Sequence, residues 1–227
     1  MYSAIILAGG VGSRMGQSIP KQFLALAGKP IILHTLERLE QMDEVDEIIV
    51  SCHPQYKELL QMYIAAYMLK KNYIIVDGGE TRQQSAYLGV SAAKNDDIII
   101  HEAARPFVSA EEFHALMAEE ADNATYGIEI PFTVSIRTDG AITGLLERDQ
   151  LVNIQLPQKF KKEPLLKAYE QAEADGLHFT EDTSLLFHYT KKPVKVLEGS
   201  PNNIKITNAV DLIAGEQIYK ECIIGRD

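Results

Sequence analysis

The segment AIILAGGVGSRMGQSIPKQF, residues 4–23, decides the fold. Ile5, Ile6 and Leu7 form an apolar run of strand length. It breaks into Ala8-Gly9-Gly10-Val11-Gly12-Ser13-Arg14-Met15, and Pro20-Lys21-Gln22 follows shortly after. A buried strand that opens into glycines lets backbone N–H groups approach an anion with no Cβ atom in the way. Arg14 and Lys21 then place two cations beside that anion. The arrangement suits a nucleoside triphosphate, and cations at this position suggest chemistry at phosphorus. A dinucleotide fingerprint counted from Gly10 would meet Met15 where its third glycine belongs, and the Gly-Lys-Ser/Thr of a P-loop does not occur. The bland alternative, a tight strand-to-helix connection, explains the glycines but not the cations.

Working outward, apolar runs of strand length alternate with amphipathic stretches of helix length. The pattern predicts strands at Ala4–Leu7, Glu47–Ser51, Tyr73–Val76, Asp97–His101, Gly127–Ile130 and Val194–Leu197. It predicts helices near Ile31–Gln41, Gln55–Met68, Gln84–Ala93, Ala110–Asn123, Pro164–Asp175, Asp182–His188 and Ala209–Tyr219. Several strands, such as Asp96-Asp97-Ile98-Ile99-Ile100-His101, are continuously apolar in the middle, as strands buried on both faces should be. The expected fold is therefore α/β, a three-layer sandwich around a mostly parallel sheet. Ligands of such sheets bind beyond the carboxyl ends of the strands. The polar clusters of this chain follow its strands, so they should meet in one cleft. Residues 131–156 interrupt the rhythm with two short β-like runs, Thr133–Thr138 and Ile142–Leu146, around Asp139-Gly140, a strong hairpin signal. An inserted hairpin can be a lid, a decoration or a dimerisation arm.

Composition bounds the partners. The chain has 227 residues, is 46% hydrophobic and carries a formal charge of −10. That is enough apolar material for one sizeable core, and the acidic balance argues against nucleic acid or an anionic membrane as partner. The two cysteines, Cys52 and Cys222, stand too far apart to suggest a metal site and read as reduced thiols. No apolar run approaches the roughly 20 residues that span a bilayer, and no signal-peptide pattern is visible, so the expected setting is cytoplasmic.

Three further constellations could carry chemistry. Asp77-Gly78-Gly79-Glu80-Thr81-Arg82-Gln83-Gln84-Ser85 is a second glycine turn that opens a helix; it could read a base or hold phosphate, or be a capped helix start and nothing more. In His101-Glu102-Ala103-Ala104-Arg105-Pro106, Arg105 could grip a phosphate and Glu102 a sugar hydroxyl or Mg²⁺, or the two could form a local ion pair. His101 reads as a structural residue. Lys205, in Asn202-Asn203-Ile204-Lys205-Ile206-Thr207, is either an edge-strand charge facing solvent or, beside the cleft, a third phosphate clamp. Glu181-Asp182-Thr183-Ser184 reads as the start of a helix.

These motifs, with Pro157-Gln158-Lys159-Phe160 and Glu198-Gly199 before the Asn203-Ile204-Lys205-Ile206-Thr207 run, follow one another in the order found in a known family. From about residue 3 to 220 the chain resembles the cytidylyltransferases that couple CTP to a sugar-alcohol phosphate. That family includes the methylerythritol phosphate enzymes of isoprenoid synthesis and the ribitol phosphate enzymes of wall and capsule polymers. The resemblance implies a single Rossmann-like nucleotidyltransferase domain over residues 1–227, with 131–156 as an arm that builds a homodimer. It implies that Ala8, Gly9, Gly10 and Gly12 wrap the CTP triphosphate, and that Arg14, Lys21 and Lys205 neutralise charge at the transferring phosphorus. Gly79, Glu80, Arg82, Ser85 and Ala103 would surround the base and ribose. Glu102 and Arg105, with Ser135 and Arg148 of the partner's arm, would bind the acceptor. Mg²⁺ is the implied cofactor, held largely by the phosphates; the sequence names no metal ligands.

The departures fall on the acceptor side. The methylerythritol enzymes usually carry Asp-Thr-Ile-Lys where this chain has Val134-Ser135-Ile136-Arg137, a Thr at Leu156 and an Asp at Glu102. The sequence reading therefore leans towards ribitol 5-phosphate as acceptor, with methylerythritol 4-phosphate as the alternative. A sugar-1-phosphate nucleotidylyltransferase and a non-catalytic nucleotide-binding domain are the competing classes. The retention of Arg14, Lys21 and Lys205 together speaks against the second of these.

Overall fold

The computed structural model describes residues 1–10 and 19–222. Of the residues singled out in the first glycine turn, Gly12 and Arg14 lie outside the described residues.

The continuously apolar run at the start is β1 (Tyr2–Ala8), in which Ala4, Ile5 and Ile6 have no exposed surface. After a two-stranded ribbon of β2 (Ala25–Leu26) and β3 (Lys29–Pro30) come α1 (Ile31–Glu40), β4 (Val45–Cys52), α2 (Lys57–Ala66) and β5 (Asn72–Asp77). The chain continues through α3 (Arg82–Ala92), β6 (Asp97–Glu102), α4 (Ala110–Ala118) and β7 (Ala124–Ile128). The expected hairpin follows as β8 (Ser135–Thr138) and β9 (Ala141–Leu145). Then β10 (Asn153–Lys161), α5 (Lys162–Ala174), α6 (Asp182–Thr190), β11 (Lys195–Glu198) and α7 (Ala209–Cys222) complete it.

Seven strands form one sheet in the order β11-β7-β10-β6-β1-β4-β5. All run parallel except β10, which is antiparallel to both β6 and β7. Alternate residues of β1 point to opposite faces, so each face has its own core. Ala4, Ile6 and Ala8 pack with Leu33 and Leu36 of α1, Leu60 of α2 and Phe113 of α4. Ile5 and Leu7 pack with Val90 of α3, Leu165 and Tyr169 of α5 and Leu185 of α6. Each fully buried Ile or Leu contributes about 1.5–3 kcal/mol relative to exposure, and both faces are supplied in this way. The three-layer α/β sandwich expected from the sequence is what the chain forms.

The differences have local causes. The helix expected over Ala110–Asn123 stops at Ala118, where Glu119, Glu120 and Asp122 would have met the negative end of the helix dipole. Lys159 instead donates to the freed Glu119 carbonyl. The next strand then starts at Ala124, earlier than expected. The strand β10 was not anticipated, since Pro157 argues against a central strand. The pairing of β10 with β7 shifts register between Gln155 and Gln158, and Pro157, which has no N–H to donate, sits in that interruption. Residues 153–156, read from the sequence as the end of the arm, are already strand of the main sheet. The hairpin itself turns at Asp139 (φ 52°) and Gly140 (φ 83°) and forms a separate two-stranded sheet.

Candidate active site

The carboxyl ends of β1 and β6 and the turn after β5 enclose a cleft of about 290 Å³. Ala8, Gly9 and Gly10 form one wall and Gly79, Glu80 and Thr81 another. Glu102, Ala103 and Ala104 form the floor side, and Lys21, Gln22, Arg82, Ser85 and Lys205 also line it. Each described residue assigned by resemblance to the nucleotide or the transferring phosphorus is thus brought to one place.

Gly9 and Gly78 stand where the backbone is closely approached. A Cβ on Gly78 would lie 3.1 Å from the Gly9 Cα, and one on Gly9 would lie 3.1 Å from the Ser85 hydroxyl. The two glycine turns therefore abut. The sequence reading gave Gln22 no role, yet its buried side-chain amide donates to the carbonyls of Ala8 (2.7 Å) and Gly10 (3.0 Å). This clamp fixes the first turn and brings the neighbouring Lys21 to the cleft. A buried glutamine directly after Pro-Lys was the available signal.

The second turn is the capped helix start and a cleft wall at once. The Thr81 hydroxyl accepts from the Gln84 N–H at 3.0 Å. The Ser85 hydroxyl accepts from the Gly79 N–H (3.0 Å) and donates to the Thr81 carbonyl (2.9 Å), so it shapes the turn.

Lys205 does not sit on an edge strand. Its segment is irregular and is tied down by three contacts: the Ile206 N–H donates to the Ala104 carbonyl (2.8 Å), Arg105 Nη1 to the Asn203 carbonyl (2.8 Å), and the Asn203 amide to the Leu156 carbonyl (2.7 Å). The Lys205 ammonium lies 2.9 and 2.8 Å from the two carboxylate oxygens of Glu102. Arg82 Nε donates to Glu102 at 3.2 Å, and Arg105 Nε stands 3.6 Å away. Burial alone would raise the Glu102 pKa, but Lys205 and Arg82, with Arg105, pull it down to about 2. Glu102 is an anion shared by three cations.

Arg82 is also held from behind. Its Nη1 and Nη2 donate to Oδ1 (3.0 Å) and Oδ2 (2.8 Å) of Asp182, which is 2% exposed and also accepts from the Tyr169 hydroxyl at 2.7 Å. Burial opposes the Arg82 charge, and the Asp182 carboxylate outweighs that and raises its pKa. Asp182 was read from the sequence only as a helix start.

The rest of the expected set divides. Arg105 pairs with Glu102 and the Asn203 carbonyl and is not among the residues lining this cleft, an arrangement that fits its local-ion-pair reading. Ser135 and Arg148 belong to the arm and lie outside this cleft. His101 is fully buried; its Nε2 lies 2.9 Å from the Arg105 carbonyl and burial lowers its pKa to about 4, as suits a structural residue. Burial raises the Cys52 thiol to about 11. Among the described residues no cluster of three His, Cys, Asp or Glu side chains is placed to hold a metal. With Glu102 already saturated by cations, the cleft fits a divalent ion carried in on phosphate oxygens, not one held in a protein cage.

Residues 2–221 match the family model described as "IspD: 2-C-methyl-D-erythritol 4-phosphate cytidylyltransferase". The chain belongs to this family. Among relatives in the methylerythritol phosphate cytidylyltransferase family, the protein of that name from Clostridium acetobutylicum is 37% identical over 226 residues, covering 97% of this chain and 98% of the relative. The one from Geobacillus kaustophilus is 35% identical over 223 residues, covering 96% of each. The crystal structure of 4-diphosphocytidyl-2C-methyl-D-erythritol synthase from Anaerococcus prevotii superposes with a TM-score of 0.84 at 29% identity, covering 96% of both chains. As a member of this family the chain is a cytidylyltransferase with a Rossmann-like α/β fold. Among the described residues no helix is long and apolar enough to cross a membrane.

Proposed function

We propose that this chain transfers the cytidylyl group of CTP to 2-C-methyl-D-erythritol 4-phosphate. An oxygen of the acceptor phosphate attacks the α-phosphorus in line, the bond to the bridging α–β oxygen breaks, and pyrophosphate leaves with that electron pair. A phosphate monoester is already anionic near neutral pH, so no strong general base is called for. The protein has to align two anions and offset their charge. On this reading Lys21 and Lys205, with Arg14, face the transferring phosphorus. The turns at Ala8–Gly10 and Gly79–Arg82, with Ser85 and Ala103, hold the nucleotide. Mg²⁺ bound to the triphosphate oxygens supplies further charge neutralisation.

The observation that carries the reading is Lys21 and Lys205 meeting in one cleft, at the strand ends, in a chain matched throughout by this family. The family match and the relatives' names favour methylerythritol 4-phosphate over ribitol 5-phosphate, the reverse of the lean taken from the sequence. One ground for that lean also weakens: Leu156 is 2% exposed and packs in the core beside Ile5 and Phe160, away from the cleft. Its failure to offer a hydroxyl therefore says little about the acceptor.

The hairpin is proposed as a homodimer arm that brings Ser135 and Arg148 to the acceptor of the partner subunit. Phe132, Ile142 and Leu145, 75%, 74% and 81% exposed, cluster on or beside it and form the kind of apolar surface that a second copy would cover. The deciding experiment is pyrophosphate release with CTP and Mg²⁺, offered methylerythritol 4-phosphate, ribitol 5-phosphate or glycerol phosphates separately. Release with the first alone supports the proposal, and release with ribitol 5-phosphate alone replaces it.

A further inference from the structure

All three nitrogens of the Arg82 guanidinium donate within the protein, Nη1 and Nη2 to Asp182 and Nε to Glu102, which uses three of its five N–H groups. These contacts fix the guanidinium where it lines the cleft. What it does is join a buried carboxylate on α6 to the carboxylate on which Lys205 rests. We infer that Asp182 is a positioning residue for Lys205, acting through Arg82 and Glu102.

The physical reasoning is one of competition. Glu102 has two oxygens, and Arg82 uses one of them only through Nε because its other two nitrogens are held by Asp182. Arg105 Nε, buried and without a hydrogen-bond partner, is held off at 3.6 Å while its Nη1 serves the Asn203 carbonyl. That leaves the face of Glu102 turned to the cleft for the Lys205 ammonium, at 2.9 and 2.8 Å. Without the Asp182 charge, Arg82 would turn its free nitrogens onto Glu102, because a bidentate guanidinium–carboxylate pair is the stronger geometry. Lys205 would be displaced. Asp182 does not line the cleft, yet it decides where Lys205 stands.

The consequence for turnover rests on the function proposed above; the placement of Lys205 does not, and the experiment reads the two separately. Lysine acylation of the ligand-free full chain by an N-hydroxysuccinimide ester, followed site by site by mass spectrometry, reports how firmly the ammonium is held. Asp182→Asn keeps the shape of the side chain. It should speed acylation of Lys205 about tenfold, the effect of losing roughly one charge-assisted contact, with Lys161 and Lys167 as unchanged references. In a Glu102→Gln background the same change should add nothing, because the relay is already cut. If Asp182→Asn fails to fold, Arg82→Gln tests the competition from the other end: with the competitor gone Lys205 keeps its place on Glu102, and its acylation should not speed up. In the turnover assay Asp182→Asn should lower kcat about tenfold with the KM for CTP nearly unchanged, as removal of one well-placed contact predicts.

Unchanged Lys205 acylation in a folded Asp182→Asn protein overturns the inference, and so does faster Lys205 acylation in Arg82→Gln. So does an equal increase with and without the Glu102 carboxylate, since that would mark Asp182 as a general tie between α3 and α6. If the wild-type chain releases no pyrophosphate, the functional proposal falls and the acylation result still decides the relay.

Discussion

The Gly9 and Gly78 backbones touch: a Cβ built on Gly78 would stand 3.1 Å from the Gly9 Cα and 3.5 Å from the Cys52 carbonyl group. The turn after β1 and the turn after β5 are thus parts of one assembly, although 68 residues of sequence separate them (78 − 9 = 69 positions). Gly78→Ala must push one turn away from the other, at a cost of about 1–3 kcal/mol for overpacking. Gly10 has open space where its Cβ would go, so Gly10→Ala should leave the melting temperature alone and weaken nucleotide binding instead. Thermal melts of both variants, with CTP titrations, check the contrast. Equal melting temperatures would show that the junction yields easily.

Lys21→Ala and Lys205→Ala should each lower kcat by roughly 10²–10³ if these ammonium groups offset charge at the transferring phosphorus. Pyrophosphate release at saturating CTP measures it directly. A variant whose loss appears only in KM would place its lysine on the bound nucleotide and not at the reacting atom.

Folding should depend on acid through two groups in separate windows. His101 is held neutral, its pKa lowered from 6.5 to about 4 by burial. Above pH 6.5 it is neutral in both states and costs nothing. As pH falls from 6.5 towards 4 the unfolded chain takes up a proton that the folded chain refuses, and stability is lost. The difference, 6.5 − 4 = 2.5, corresponds to about 3 kcal/mol once pH is below the folded value. Glu102 acts lower: its pKa is depressed from 4.5 to about 2, so the stability its pairing supplies is present above 4.5 and lost as pH falls through that range. Urea unfolding at pH 7, 5.5 and 4 should show His101→Gln losing less stability than wild type. Parallel losses would remove His101 from the account.

Ile128 and Asn153 face each other across the β7–β10 pair. Residues 129–152 can therefore be replaced by a two-residue Asn-Gly turn without moving either strand. The shortened chain should melt close to wild type. If the hairpin is the proposed homodimer arm, the full chain should sediment as a dimer and the shortened chain as a monomer. Equal sedimentation behaviour for the two would show that the hairpin holds no subunits together.

The layers of this fold were legible because hydrophobic period carries them: the Ile and Leu runs of β1, β4 and β6 admit one reading, and the cation-bearing glycine turn marks their carboxyl ends. What escaped was set by distant partners. β10 is polar and contains Pro157, so only its neighbours β6 and β7 make it a strand. In the cleft, Lys21 and Lys205 were readable as cations in phosphate-like settings. The carboxylate behind Arg82 was not, because Asp182 looks like any helix start until the fold brings Arg82, 100 residues away, against it. For Arg105 the ion pair with Glu102 was among the readings, but its other partner, the Asn203 carbonyl, is 98 residues on and was not.

The reversal of β10 has a bearing on evolvability. Parallel strands release the chain at the cleft edge of the sheet and receive it at the opposite edge. A strand that runs backwards receives the chain at the cleft edge, so the segment between β7 and β10 begins and ends there. Additions to that segment accumulate at the rim where substrates enter, without disturbing a single strand pairing. Changes of acceptor and changes of assembly would then draw on the same short stretch of gene, and selection on one would carry the other with it.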